Sequence, residues 1–141
     1  MNTLNFLDAN VWLALIWSRH SNAEQAREWF DRSADEKFFY CRISQTTVLR
    51  LLTTSSVMGA DTRKTVDAWD LWDKVCADDR VAFLPEPEAI EREFRHLSSL
   101  RTPSAKVWAD SYLLAFAGVS GLKLVTFDRG LKSKGIDILV L

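Results

Sequence analysis

Three aspartates stand where a chain of alternating strands and helices would gather carboxylates. Asp8 closes a short apolar run at residues 4–7, and Asp128 falls two residues after Thr126 at the end of another. Asp110 interrupts an apolar segment, with Ala109 at −1 and Leu113, Leu114 and Ala117 at +3, +4 and +7. Those offsets place Asp110 on or beside the apolar stripe of a helix. A carboxylate there is costly to bury alone, so it calls for a cation partner or a wet cleft. Three carboxylates in a small volume repel one another and raise each other's pKa. A divalent cation removes that repulsion, and an all-oxygen ligand set suits Mg2+ or Mn2+. Simpler roles stay open at this point: an Asp after a strand commonly caps the next helix, and Lys106 sits at i−4 from Asp110, within pairing distance on a helix.

The elements that must position these groups follow from periodicity. Apolar or aromatic runs at 4–7, 38–41, 81–84, 122–126 and 136–141 read as strands, the third stopped by Pro85 and Pro87. Helical patterns cover 10–17, 22–34, 45–54, 62–77, 89–100 and 104–119. Ser21 is the expected N-cap of the second, with Glu24 as its capping-box partner, and Ser44 the expected N-cap of the third. Pro103 marks the start of the last helix, and residues 54–61 read as a loop. This alternation predicts an α/β fold with a mostly parallel sheet of about five strands, covered on both faces. Ligands in such folds sit beyond the carboxyl ends of the strands, where the strand order switches. From Asp110 the helix descends roughly 12 Å to Gly118. After a turn at Gly118–Gly121 the chain climbs roughly 20 Å to Asp128. The two lengths return the two side chains to a similar level.

The chain has 141 residues, 48% of them hydrophobic, with six Trp and eight Phe, which supports a packed core and excludes disorder. One domain spanning residues 1–141 is expected. The net charge of −1 excludes a globally basic nucleic-acid binder but not a local basic patch. Arg50, Arg101, Lys106, Arg129, Lys132 and Lys134 lie near the expected carboxylate edge. They are suited to tracking a phosphate backbone, or equally to a solvated surface. Cys41 and Cys76 lack the spacing of a zinc site and read as reduced, mostly buried thiols. His20 and His96 stand apart from any triad or metal spacing and read as surface or cap residues. Trp12 and Trp108 are expected in the core, with base stacking as the alternative. Trp29, Phe30, Trp69 and Trp72 are likewise expected to pack internally, some of them alternatively lining a groove for a partner. The amino-terminal stretch has no basic segment ahead of an apolar one, and the uncharged run at 11–17 is far below the ~20 residues of a membrane span. A cytoplasmic protein is expected.

Four segments carry a resemblance: FLDANVWLAL at 6–15, CRISQTTVLRLLT at 41–53, WADSYLLAFA at 108–117 and LVTFDRGL at 124–131. In this order and spacing the chain resembles PIN-domain ribonucleases, and within them the VapC-type toxins of bacterial toxin–antitoxin pairs. The resemblance implies a three-layer α/β/α domain acting as a Mg2+-dependent endoribonuclease toxin. It further implies an RNA substrate, a cognate antitoxin, a homodimer and no membrane association. It places metal binding and catalysis on Asp8, Asp110 and Asp128, with Asn10 and Thr126 orienting them. One position departs from the family pattern: Arg50 stands where a glutamate is usual. It is expected to pair with Asp8 or Asp110, to hold a substrate phosphate, or to be solvated. The departure motivates a competing reading, a catalytically impaired PIN-fold module that binds RNA or protein. A second competitor is an Asp-based phosphotransfer protein. A haloacid-dehalogenase-like phosphatase usually has an Asp where Asn10 stands, and a receiver domain needs a pair of acids after its first strand, which is missing here.

Overall fold

The computed structural model describes residues 3–133 and 135–141 of the chain; Lys134, one of the basic residues considered above, lies outside them. Five strands form one sheet: β1 (Leu4–Leu7), β2 (Lys37–Tyr40), β3 (Val81–Phe83), β4 (Lys123–Thr126) and β5 (Ile138–Val140). Their order is β3-β2-β1-β4-β5 and every pairing is parallel. The chain builds outward from β1 to β3, then crosses back to place β4 on the other side of β1. The switch in strand order therefore falls between β1 and β4.

Among the described residues seven α-helices surround the sheet: α1 (Ala9–Ile16), α2 (Ala23–Arg32), α3 (Arg42–Leu52), α4 (Ser55–Met58), α5 (Thr65–Cys76), α6 (Ile90–Ser98) and α7 (Val107–Ser120). Strand side chains alternate between faces, so each strand contributes to two cores. Leu7, Phe38 and Val125 join Trp12, Trp29, Phe30, Val48 and Trp72 on the face covered by α1, α2, α3 and α5. Phe6 and Leu124 join Ile90, Leu113, Phe116 and Ala117 on the face covered by α6 and α7. This is the expected α/β fold, a three-layer arrangement.

The local differences from the sequence reading have physical causes. Helix α2 starts at Ala23, and no side chain caps it as Ser21 was expected to; the His20 Nδ1 accepts the Asn22 N–H at 3.0 Å instead. Helix α3 starts three residues earlier than expected, behind Cys41. Ser44 sits inside the first turn, where its Oγ accepts the Cys41 N–H and donates to the Cys41 carbonyl, both at 3.0 Å. Residues 54–61 are not a plain loop. Met58 is buried and anchors the single turn α4, which a 3-10 turn at Gly59–Asp61 follows. Gly59 takes a positive φ of 56° between them. Helix α7 runs through Gly118 to Ser120, so the reversal toward β4 rests on Gly121 alone, with φ 67°.

Candidate carboxylate site at the strand-order switch

Asp8 follows β1 and is the N-cap of α1, its Oδ1 accepting the Ala9 N–H at 2.7 Å. The capping role expected of a strand-end aspartate is thus real, and it fixes the carboxylate at the sheet edge. Asp8 N–H also donates to the Val125 carbonyl at 2.9 Å, which ties this corner to β4 across the switch. The fully buried Thr126 ends β4. Its hydroxyl donates to Asp8 Oδ2 at 2.9 Å and accepts the Asp128 N–H at 3.0 Å. Asp128 Oδ1 in turn accepts the Gly130 N–H at 2.8 Å. A Cβ at Gly130 would stand 3.2 Å from the same oxygen and push it back by a few tenths of an ångström.

Asp110 enters from the first turn of α7, at the boundary between a solvent-facing turn and the buried run of residues 111–117. Ala109, expected beside the apolar stripe, is exposed, because the burial of α7 begins only at Ser111. Lys106, immediately before α7, joins the other two groups. Its ammonium donates to Asp128 Oδ2 at 3.0 Å and lies 3.7 Å from Asp110 Oδ2. The i−4 pairing with Asp110 was readable from spacing; the stronger bond to Asp128, 22 residues away, was not.

The charges follow this geometry. Burial pushes the Asp8 carboxyl above its usual range, and the negative charges of Asp110 and Asp128 add to the rise. The hydrogen bonds from Thr126 and Ala9 act against it. Asp128 is held below the usual range by the Lys106 hydrogen bond and then by the Gly130 N–H. The ammonium of Lys106 is raised by its bond to Asp128 and by the charge of Asp110.

The remaining residues singled out from sequence fall in different places. Asn10 is exposed in the first turn of α1, two residues after Asp8. Arg50 is exposed on α3 and, among the described residues, pairs with neither Asp8 nor Asp110. It borders a shallow cavity of about 200 Å³ between α3 and α5, with Leu49, Thr53, Ala68 and Trp69. Trp12 is fully buried, but Trp108 is 58% exposed, because it too belongs to the solvent-facing first turn of α7. Trp29, Phe30 and Trp72 pack internally, whereas Trp69 is largely exposed. His20 stacks on Phe127, the residue between Thr126 and Asp128.

Among the described residues no three acidic, His or Cys side chains close into a cage that would hold an ion unaided. What the site offers is an all-oxygen donor set in which a cation, the Lys106 ammonium, already bridges two of three carboxylates. That fits a hard divalent ion held by a few carboxylates and completed by water, the usual habit of Mg2+.

A doubly covered parallel sheet with aspartates at its β1/β4 switch defines a class, and the comparisons agree with it. Residues 6–136 match the PIN domain, and the chain belongs to the PIN-domain family. It is 36% identical over 133 residues to Ribonuclease VapC41 of Mycobacterium tuberculosis, covering 91% of each chain. Its fold is similar to that of VapBC2 from Rickettsia felis, solved bound to a DNA fragment from its promoter, with a TM-score of 0.70, 10% identity and 99% of each chain covered. It is also similar to that of Mycobacterium tuberculosis VapC20, described as a sarcin-ricin loop cleaving toxin, with a TM-score of 0.66, 16% identity and 94% and 95% of the two chains covered.

Proposed function

We propose that this chain is a metal-dependent endoribonuclease, the toxin of a type II toxin–antitoxin pair, working in the cytoplasm as one domain over residues 1–141. The observation that carries the reading is the pairing of Asp110 and Asp128 through Lys106, with both charges bearing on Asp8, in a chain 36% identical to a ribonuclease. Its partners are an RNA substrate and a cognate antitoxin, in keeping with the VapBC complex that shares its fold; a homodimer is its assembly.

Asp8, Asp110 and Asp128 are the residues that would hold Mg2+, with Mn2+ as a substitute. When bound, the ion supplies an activated water and offsets charge on the phosphate. The chain's own contribution is positional. Thr126 fixes one oxygen of Asp8 and the backbone of Asp128 at once, so both carboxylates share one rigid corner. Both oxygens of Asp8 accept hydrogen bonds, which suits a fixed ligand better than an attacking nucleophile and disfavours the phosphotransfer reading. Arg50 brings no fourth acid to the site, which supports a single ion. Asn10, exposed two residues after Asp8 in the first turn of α1, faces the solvent from which substrate arrives.

The test is cleavage of a structured RNA by the wild type and by Asp8→Asn, each in Mg2+ and in EDTA. Cleavage only by the wild type in Mg2+ is expected. Equal activity in all four samples would overturn the reading.

A further inference from the structure

Lys106 is the cation of this site, and its position is specific. Its side chain is 72% exposed, so burial does not force the contact. Its ammonium nevertheless stands 3.0 Å from Asp128 Oδ2 and 3.7 Å from Asp110 Oδ2, joining a helix to the loop after β4. Each of those carboxylates also bears on the half-buried Asp8, and the ammonium offsets the charge of the two it touches. An ammonium is a compact point charge on a flexible four-carbon stem, able to enter and leave such a position at little steric cost.

The geometry points to Lys106 as a built-in counter-cation that occupies the divalent-ion position and is displaced when the ion binds. This deepens the metal-dependent reading above and rests on it. The ammonium holds Asp110 and Asp128 together in the metal-free protein. A divalent ion held by Asp110 and Asp128 would compete with the ammonium for those carboxylates, leaving the stem free to turn to solvent. Metal binding and the Lys106 contacts are then mutually exclusive, so removing the lysine charge strengthens one at the expense of the other.

The experiment is calorimetric titration of the metal-free full chain with Mn2+ alone, for wild type, Lys106→Met and Lys106→Arg, with thermal melts in EDTA. Methionine keeps most of the stem and removes the charge. Lys106→Met is expected to bind Mn2+ roughly two- to fivefold more tightly, the scale of an exposed ion pair that no longer has to be broken. Its metal-free Tm should fall while its Mn2+-induced rise in Tm grows, and Lys106→Arg should stay near wild type. Lys106→Met binding Mn2+ no better than a wild type that does bind would overturn the counter-cation and leave the metal site standing. If neither chain binds Mn2+, the metal reading itself falls, and the counter-cation with it.

Discussion

The Thr126 hydroxyl donates to Asp8 Oδ2 at 2.9 Å across 118 residues of sequence, and the hydroxyl oxygen of Thr126 itself accepts the Asp128 N–H. One buried hydroxyl therefore ties the carboxylate that follows β1 to the backbone of the aspartate that follows β4. Thr126→Val keeps the shape and removes the hydroxyl, leaving a buried acceptor and an N–H without their partner. A loss of about 1–3 kcal/mol in urea unfolding is expected, with RNA cleavage down roughly 10- to 100-fold. Thr126→Ser should retain most of both. A valine variant matching wild type in cleavage would remove Thr126 from the positioning role.

Asp8→Asn should make the metal-free protein more stable while abolishing cleavage. Asp8 has a folded-state pKa raised above its unfolded value, chiefly by burial. For an acid this means that the ionised form opposes folding. The penalty appears as pH rises through 3.8 and is complete once the pH exceeds the raised folded value. Asparagine removes the charge and keeps one acceptor oxygen for the Ala9 N–H, while its NH2 faces Thr126. A gain of about 1 kcal/mol, a few degrees in Tm in EDTA, is expected, the usual sign of a site kept for function. A lower Tm would show Asp8 to be mainly a structural cap.

Arg80 is a structural anchor far from the site. Its guanidinium donates to the Phe30 and Ser33 carbonyls at 2.7 and 3.1 Å, pairs with Asp78 at 2.8 Å, and lies 4.0 Å from the Phe30 ring centroid. Arg80→Ala should cost about 2–3 kcal/mol in urea unfolding. The Arg80 hydrogen bond holds Asp78 below its usual pKa. The stability this gives is present above pH 3.8 and is lost as pH falls through the lower folded value. Asp78→Asn should therefore flatten the acid limb of the stability profile, and an unchanged acid limb would remove the pair from the acid response.

Arg50→Ala should leave Mn2+ affinity unchanged and stability within about 0.5 kcal/mol, as expected for an exposed side chain paired with neither Asp8 nor Asp110. A tenfold change in Mn2+ affinity by calorimetry would place Arg50 in the site.

The sheet and its carboxylate edge were legible in the sequence because both depend on short-range signals. Apolar runs of four residues ending at Asp8, and at Thr126 before Asp128, are visible without knowledge of the fold. Alternation of strand and helix then makes the strands parallel and brings their ends to one edge. Lys106 was legible as a local partner of Asp110 and as a basic residue near the carboxylate edge, but not as a partner of Asp128, because that bond depends on how the loop after β4 turns at Gly130. Trp108 was misplaced because helical periodicity carries no information on how many turns of α7 meet the sheet; burial begins three residues later, at Ser111. Ser44 was placed at the cap because serine is favoured there. The same hydroxyl serves from within the first turn when a cysteine holds the cap position. Arg50 could be located on α3 but not relative to the aspartates, since sequence spacing does not give the angle at which α3 crosses the sheet.

The central claim is that Asp8, Asp110 and Asp128 form one metal-dependent site for cleaving RNA. The most direct measurement is single-turnover cleavage of a structured RNA by wild type and Asp110→Asn, first in EDTA and then on titrating Mg2+ back. Asp110 is the better probe because, at the mouth of α7, its substitution leaves the capped corner at Asp8 intact. The predicted result is no cleavage in EDTA, recovery with Mg2+ for wild type alone, and no recovery for Asp110→Asn. Cleavage at the same rate in EDTA, or by Asp110→Asn in Mg2+, would contradict it.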